Sequence, residues 1–334
     1  MNSGNEYASK GRRTLTITHA TDIDGIGSAA LLKMRYGIPD SRQFFTDYSP
    51  TGIEYVFEQL RKVHMGGDNL FIADLGLNKG TVRIFSEMIR FIKRNGGHVV
   101  WFDHHPWDAE SISRVASLCD IAIIGENSRH CATEITHREL GFTDHFTSDF
   151  ARVVHYSDFN IKPRDKKDRE TIGIYALSIA HYNTMSIRRR DAKLHRLAGI
   201  ISSGRPYDAQ VKSDALAFER INNERIEKMV ARLHVGKRIA VGFSSEIQST
   251  QACAAVMKKS GKDIAVYVNL KKGKCHIRSR IADCSALAST LGGGGHPHAA
   301  GFDIDMGRFG RLKTEDGKRK LVDYIDSAAA RYAR

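Results

Sequence analysis

The chain has 334 residues, with 51 Lys and Arg against 38 Asp and Glu, a net charge of +13 with neutral His. Its 41% hydrophobic and 27% charged residues exclude a disordered chain and fit a globular protein long enough for two domains. No apolar run approaches the roughly 20 residues of a membrane helix. The positive excess points to an anionic partner, nucleic acid first, or to a generally basic, solvated surface.

Residues 1–12 are polar and read as a disordered tail without the apolar core of a secretory signal. RTLTIT (13–18) reads as a strand, followed by a Gly-containing loop and a helical stretch ending near Tyr36. RQFFT (42–46) is a second strand, and IEYVFEQLRKV (53–63) has helical spacing. NLFIAD (69–74) is a short apolar run ending in a carboxylate. TVRIFSEMIRFIKR (81–94) is an amphipathic helix stopped by Asn95-Gly96-Gly97, and HVVWFD (98–103) and IAIIG (121–125) are further buried strands. Strands alternating with helices predict an α/β domain with a parallel sheet covered on both faces. From about 145 to 235 the pattern is helical, and DAQVKSDALAFERINNERIEKMVARLH reads as a helix bridging two bodies. Strands resume at KRIAVGF (237–243), with a helix over 250–259. A hairpin of DIAVYVNL (263–270) and CHIRSR (275–280) follows. The helix CSALAST (284–290), the run LGGGGHPHAAGFDID and a helix over about 316–332 complete the chain. The expected division is a parallel-sheet domain over 13–185, a helical linker over 186–235 and a smaller α/β domain over 236–334. The five Cys (119, 131, 253, 275, 284) form no CxxC pair and read as free thiols in a reducing cytoplasm.

Asp and His gather where strands end: His19, Asp22 and Asp24 after the first, Asp74 closing NLFIAD, and Asp103, His104 and His105 closing HVVWFD. Ligand sites of open α/β sheets lie at the carboxyl ends of strands, so three segments are expected to meet in one crevice. A single carboxylate there commonly caps the next helix. Several arriving together repel one another unless a cation lies between them. Asp22 and Asp24 are expected on one side of an extended segment, within reach of two adjacent ions.

HATDIDGIGSAALL (19–32), ADLG (73–76) and DHH (103–105) resemble, in order, the motifs of the DHH phosphoesterase superfamily. HYSDFN (155–160) offers Asp158 for that family's fourth motif. GGGGHPHAAGF (292–302) and IRSR (277–280) resemble the glycine-rich signature and arginine segment of the DHH-associated domain. The resemblance implies a two-manganese phosphoesterase, with magnesium a weaker substitute. One ion would take His19, Asp22 and Asp74; the other would take Asp24, His104 and Asp158, with Asp74 bridging. The spacing of His19 and Asp22 departs from many members, and hydrogen bonding within the loop is the alternative for His19. Asp103 would orient a neighbouring imidazole, and His105 would face the phosphate or the attacking water. Such ions, about 3.5–4 Å apart, stabilise the attacking and leaving oxygens of an in-line displacement. Ser28 has no evident His/Asp relay and reads as packing or capping.

In the second domain, Gly293, Gly294 and Gly295 leave backbone N–H groups open to an anionic oxygen. His296 and His298 follow, and Arg278 and Arg280 share a side if CHIRSR is a strand. The resemblance assigns Arg278 to a phosphate, while Arg280 equally fits a solvated charge. Arg129 before the helix ATEITHREL offers a further phosphate contact. The run Ile187-Arg188-Arg189-Arg190 fits a nucleic-acid contact or a solvated helix face.

Charge and resemblance together favour a single-strand DNA or RNA exonuclease of RecJ-like or nanoRNase type, acting in a cleft that admits one strand. A small-substrate phosphoesterase is the alternative: nanoRNase, cyclic-dinucleotide or adenosine-bisphosphate hydrolysis. A non-catalytic replication scaffold is a third reading, and the complete set of candidate ligands speaks against it. The archaeal RecJ-like branch implies association with replication or repair proteins such as the GINS complex. No membrane partner is expected.

Overall fold

A computed structural model describes residues 13–78, 80–125, 129–245, 247–305, 309 and 312–332. The tail expected over 1–12 lies outside the described residues. The chain divides into two compact units, Met1–Leu216 and Ala217–Arg334.

The first unit is built on a five-stranded sheet of β1 (Thr14–His19), β2 (Gln43–Thr46), β3 (Asn69–Ala73), β4 (Val99–Asp103) and β5 (Ile121–Ile124). Its order is β2-β1-β3-β4-β5 and every pairing is parallel. Helices α1 (Ile23–Tyr36), α2 (Pro50–Val63), α3 (Val82–Arg94), α4 (Ala109–Arg114) and α5 (Ala132–Glu139) intervene and follow. Helices α6 (His145–Asp158), α7 (Lys166–Tyr182) and α8 (Ile187–Ser202) come next. The period of two divides the strands between the faces. Leu70 and Ile72 join Phe57, Phe85 and Met88 under α2 and α3, while Phe71 and Ala73 join Leu32 and Ile135 under α1 and α5. Both faces are therefore apolar, as a covered parallel sheet requires. The chain leaves β1 for β2 on one side and returns to β3 on the other, so strand order reverses between β1 and β3. Crevices at such reversals are where open α/β sheets bind ligands.

The second unit holds a six-stranded mixed sheet of order β10-β11-β9-β8-β7-β6. Its strands are β6 (His234–Val235), β7 (Ile239–Ser244), β8 (Ile264–Asn269), β9 (Lys274–Ser279), β10 (Gly294–His296) and β11 (Ala299–Asp303). Only β7 and β8 pair in parallel. Helix α10 (Ser249–Ser260) covers one face, while α11 (Cys284–Thr290) and α12 (Glu315–Ala329) cover the other. Helix α9 (Ala209–Val230) contains the division between the units. All five cysteines are free, and no helix among the described residues is long and apolar enough to cross a membrane.

The glycine-rich run leads into β10, which pairs antiparallel with β11, with Gly295 opposite Ala300. Gly293 N–H already donates to Ala288 O at 2.8 Å, so it is not free to cradle an anion. Arg280 falls one residue beyond β9, where its N–H still bonds Asp263 O at 3.0 Å.

Candidate active site

Asp22 does not lie in an extended run with Asp24. It is the N-cap of α1, accepting from Asp24 N–H at 3.2 Å and Gly25 N–H at 3.3 Å. This cap starts the helix at once and places Asp24 in its first turn. Gly25 is required there, because a Cβ would stand 2.3 Å from His19 O. Asp24 is 1% exposed, and its two oxygens accept Ala132 N–H at 2.8 Å and Thr133 N–H at 2.7 Å, the first turn of α5. The α5 dipole stabilises that charge, and each oxygen keeps a second lone pair.

Asp74 follows β3 with φ 55°, a left-handed conformation uncommon outside glycine and tolerated best by Asn and Asp. Its N–H bonds Phe102 O at 3.0 Å. Asp103 ends β4 fully buried, accepting from Trp107 Nε1–H at 2.8 Å and pairing with His105 Nδ1 at 2.8 Å. Trp101 below it donates from Nε1–H to Leu75 O at 3.1 Å and packs 4.8 Å from Trp107. The two indoles tie the loops after β3 and β4 together. Ser28 is buried, 3.5 Å from Thr133 Oγ1, in keeping with packing.

Three overlapping groups of potential ligands result: His19 with Asp22 and Asp74; Asp24 with His104 and Asp158; Asp74 with His104 and His105. Within each, donor atoms lie within 4.8 Å of one another. His19 Nδ1 is 2.9 Å from Asp22 Oδ2 and 3.4 Å from Asp74 Oδ2, while its Nε2 shares a 2.9 Å hydrogen bond with Thr21 Oγ1. His104 Nε2 faces Asp24 Oδ2 at 3.8 Å, Asp74 Oδ1 at 3.7 Å and Asp158 Oδ2 at 3.7 Å. Asp158 reaches this centre from the last residue of α6.

The electrostatics are those of crowded carboxylates. Burial, then Asp24 and Asp22, push the Asp74 carboxyl well above its ordinary value. Burial and the same two neighbours raise Asp158 to about 8. Burial, then His105, lower His104. Burial also opposes the charge of His105, but the Asp103 hydrogen bond and charge outweigh it and raise His105 to about 9. Burial works against Asp22 as well, and His19 with Gly25 N–H overcomes it, holding the carboxyl well below its usual range. The buried atoms Asp74 Oδ2, Asp158 Oδ2 and His104 Nε2 have no hydrogen-bond partner. Acceptors of this kind, orphaned and mutually repelling, fit a divalent cation with imidazole and carboxylate ligands.

Tyr48 is a site residue that the sequence reading missed. Its ring lies 4.4 Å from that of His19, and its hydroxyl is 3.4 Å from His105 Nε2. Trp107, which holds Asp103, was also missed, as was Glu134, whose Oε2 is 2.7 Å from His155 Nδ1 on the helix of Asp158. A tyrosine in a loop and a glutamate in a capping box carry no signal of their own in one sequence.

The remaining candidates lie in one unit or the other. Arg129 is exposed. In the second unit Gly294, Gly295, His296 and His298 are exposed. Arg278 donates to Thr250 Oγ1 and Ile277 O, each at 3.2 Å. Arg280 is 61% exposed and 3.6 Å from Asp263.

No family model and no curated protein matches the chain. Solved structures do. A RecJ from Thermus thermophilus in complex with Mn2+ aligns over 98% of this chain and 53% of its own, with 16% identity and a TM-score of 0.58. The pGpG-specific phosphodiesterase PggH of Vibrio cholerae aligns over 95% of this chain and 99% of its own, with 15% identity and a TM-score of 0.52. The chain shares the fold of these two structures. An exonuclease RecJ bound to manganese shares it over 96% of this chain and 92% of its own, at 16% identity and a TM-score of 0.51. The chain spans about half the length of the Thermus protein.

Proposed function

We propose that the chain is a two-metal phosphodiesterase that hydrolyses single-stranded DNA or RNA as an exonuclease. The observation that carries this reading is the set of three overlapping ligand groups, two of which contain Asp74, at the reversal between β1 and β3. His19, Asp22 and Asp74 would hold one ion, and Asp24, His104 and Asp158 the other, with Asp74 common to both. Bound there, the ions supply a hydroxide near neutral pH and charge stabilisation for the phosphoryl oxygens. Mixed imidazole and carboxylate ligands favour manganese over magnesium.

The chain's own residues do the rest. Asp103 fixes the ring of His105 through Nδ1 and favours its protonated form, so that His105 can present its other N–H to a phosphate oxygen. Tyr48 borders that ring. In the second unit, Arg278 binds a substrate phosphate through its guanidinium, assisted by His296 and His298. A net charge of +13 suits a polyanion longer than a nucleotide.

The PggH likeness extends over 99% of that protein and favours a second reading, a phosphoesterase for dinucleotide-sized substrates. Cleavage of end-labelled strands from two to about twenty nucleotides, at several salt concentrations, separates the two. A nuclease gains efficiency with length, and its binding falls with a salt slope of roughly −0.7 per phosphate contacted. Efficiency peaking at dinucleotides with a shallow slope would establish the second reading. Chelation should abolish turnover, and manganese should restore it better than magnesium.

A further inference from the structure

Asp24 and Asp158, with His104, would hold the second ion, and the two carboxylates come from distant parts of the chain. Asp24 is gripped by the start of α5: its carboxylate accepts Ala132 and Thr133 N–H, and Thr133 Oγ1 donates to Asp24 O at 2.8 Å. Asp158 is the last residue of α6. Helix ends fray, and Asn160, two residues on, has already left the helix at φ 53°. A ligand at such an end is fixed only if the last turn is tied to something rigid.

His155 lies three residues before Asp158, on the same helix face. Its Nδ1 stands 2.7 Å from Glu134 Oε2. An ionised carboxylate only accepts, so Nδ1 carries the proton and donates. The same Oε2 accepts Cys131 N–H at 2.9 Å, the N-cap amide next to the turn that grips Asp24. In a capping box the glutamate serves its own helix. Here one oxygen joins the start of α5 to the end of α6. The side chains of Glu134 and His155 are each 22% exposed, which sets this pair apart from a solvated surface pair. The His155 ring packs 4.6 Å from Phe159, whose ring is 6.0 Å from His104, the third member of the group.

We propose that Glu134 is a positioning residue for the second ion: through Oε2 it fixes His155, and so Asp158, against the turn of α5 that holds Asp24. This role deepens the two-metal reading and rests on it.

The test is Mn2+ binding to the metal-stripped full chain, followed by the electron paramagnetic resonance of free Mn2+, with no substrate present. The wild-type chain should take up two ions. His155→Phe keeps a ring against Phe159 and leaves the capping bond intact, but removes the donor. It should weaken one ion by roughly 10- to 100-fold, the usual effect of losing a partner behind a ligand, and leave the other at its wild-type affinity. Glu134→Ala should do the same. Glu134→Gln keeps an oxygen with two lone pairs and should stay within about threefold of wild type. Wild-type affinity for both ions in His155→Phe overturns the role of Glu134 and leaves the two-metal reading standing. Equal weakening of both ions also overturns it, since that is a general loosening of the unit. A loss in Glu134→Gln as large as in Glu134→Ala overturns it as well, because Glu134 would then act through its charge. If the wild-type chain takes up fewer than two ions, the two-metal reading itself fails, and this role with it.

Discussion

Asp24, Asp74, Asp103 and His104 are at most 4% exposed, on strand ends and helix starts that converge at one sheet edge. In the second unit Gly294, Gly295, His296 and His298 are exposed on an edge strand and the turn after it. The first arrangement concentrates like charges where water cannot screen them, at a cost to folding that a bound cation offsets. The second keeps its groups exposed to solvent, and the fold fixes the backbone pairing of Gly295 with Ala300. On the proposed function, the difference teaches that chemistry would demand groups fixed before substrate binds, whereas grip would tolerate groups that order on contact. Substitutions in the two regions should therefore differ in size, and at the centre in sign between activity and stability.

The largest effect is expected at Asp74. Asp74→Asn should lower turnover by more than the roughly 10- to 100-fold typical of a partner one shell out. The same substitution should stabilise the chelated protein, because it removes the carboxyl most crowded by Asp24, Asp22 and Asp158. Thermal unfolding with and without chelator reads the second effect. Wild-type turnover in this variant would remove Asp74 from the metal site.

Asp103→Asn comes next. Asn keeps one acceptor oxygen where Asp103 uses two, and its amide nitrogen only donates, so either His105 Nδ1–H or Trp107 Nε1–H loses its acceptor. A fall in kcat of roughly 10- to 100-fold is expected, with KM little changed. Steady-state kinetics that show the reverse split would make Asp103 a binding rather than a positioning residue.

Stability should respond to pH in opposite directions in the two units of the metal-free protein. Burial, then Asp24 and Asp22, raise Asp158 to about 8 in the folded state, against about 3.9 in an unfolded chain. The folded first unit therefore binds the proton more tightly and gains stability as pH falls from about 8 toward 4. In the second unit, burial, then Arg278, lower His276 to about 4, so there the unfolded chain takes the proton first. That contribution is complete above about pH 6.5 and is lost toward pH 4, about 3 kcal/mol in all. Hydrogen exchange read separately in β1–β4 and β7–β9 checks both signs. Parallel responses would break the contrast between the units.

These contrasts also separate what the sequence made legible from what it did not. NLFIA and VVWFD are apolar runs that end in Asp, and a covered parallel sheet puts such ends on one edge, so the position of the centre could be read locally. The capping role of Asp22 could not be distinguished from ligation, because one carboxylate does both. Tyr48 meets His105 across 57 residues of sequence, and only the folded sheet brings them together. The strands of the glycine run were missed because glycines have no side-chain alternation to reveal a period of two. Gly295 sits at φ 139°, and a Cβ there would stand 2.6 Å from Ala299 O, so pairing with β11 explains this glycine without an anion.

The smallest expected effect sharpens the comparison within the second unit itself. Arg278 is anchored by Thr250 Oγ1 and Ile277 O, each at 3.2 Å, so its guanidinium has lost part of its freedom before a phosphate binds. Arg278→Ala should raise KM about tenfold, the lower end for a charge-assisted contact, and leave kcat near the wild-type value. Arg280 lies past the end of β9, 61% exposed, with Asp263 3.6 Å away as its counter-charge. An exposed pair of this kind contributes little, and a phosphate drawn to Arg280 must compete with Asp263. Arg280→Ala should change either constant by no more than about threefold. Steady-state kinetics on the two variants, with a strand longer than a dinucleotide, decide the point. Equal losses would mean that the second unit grips through a diffuse positive surface. A loss confined to Arg278 would assign the grip to the one arginine whose direction the sheet already sets.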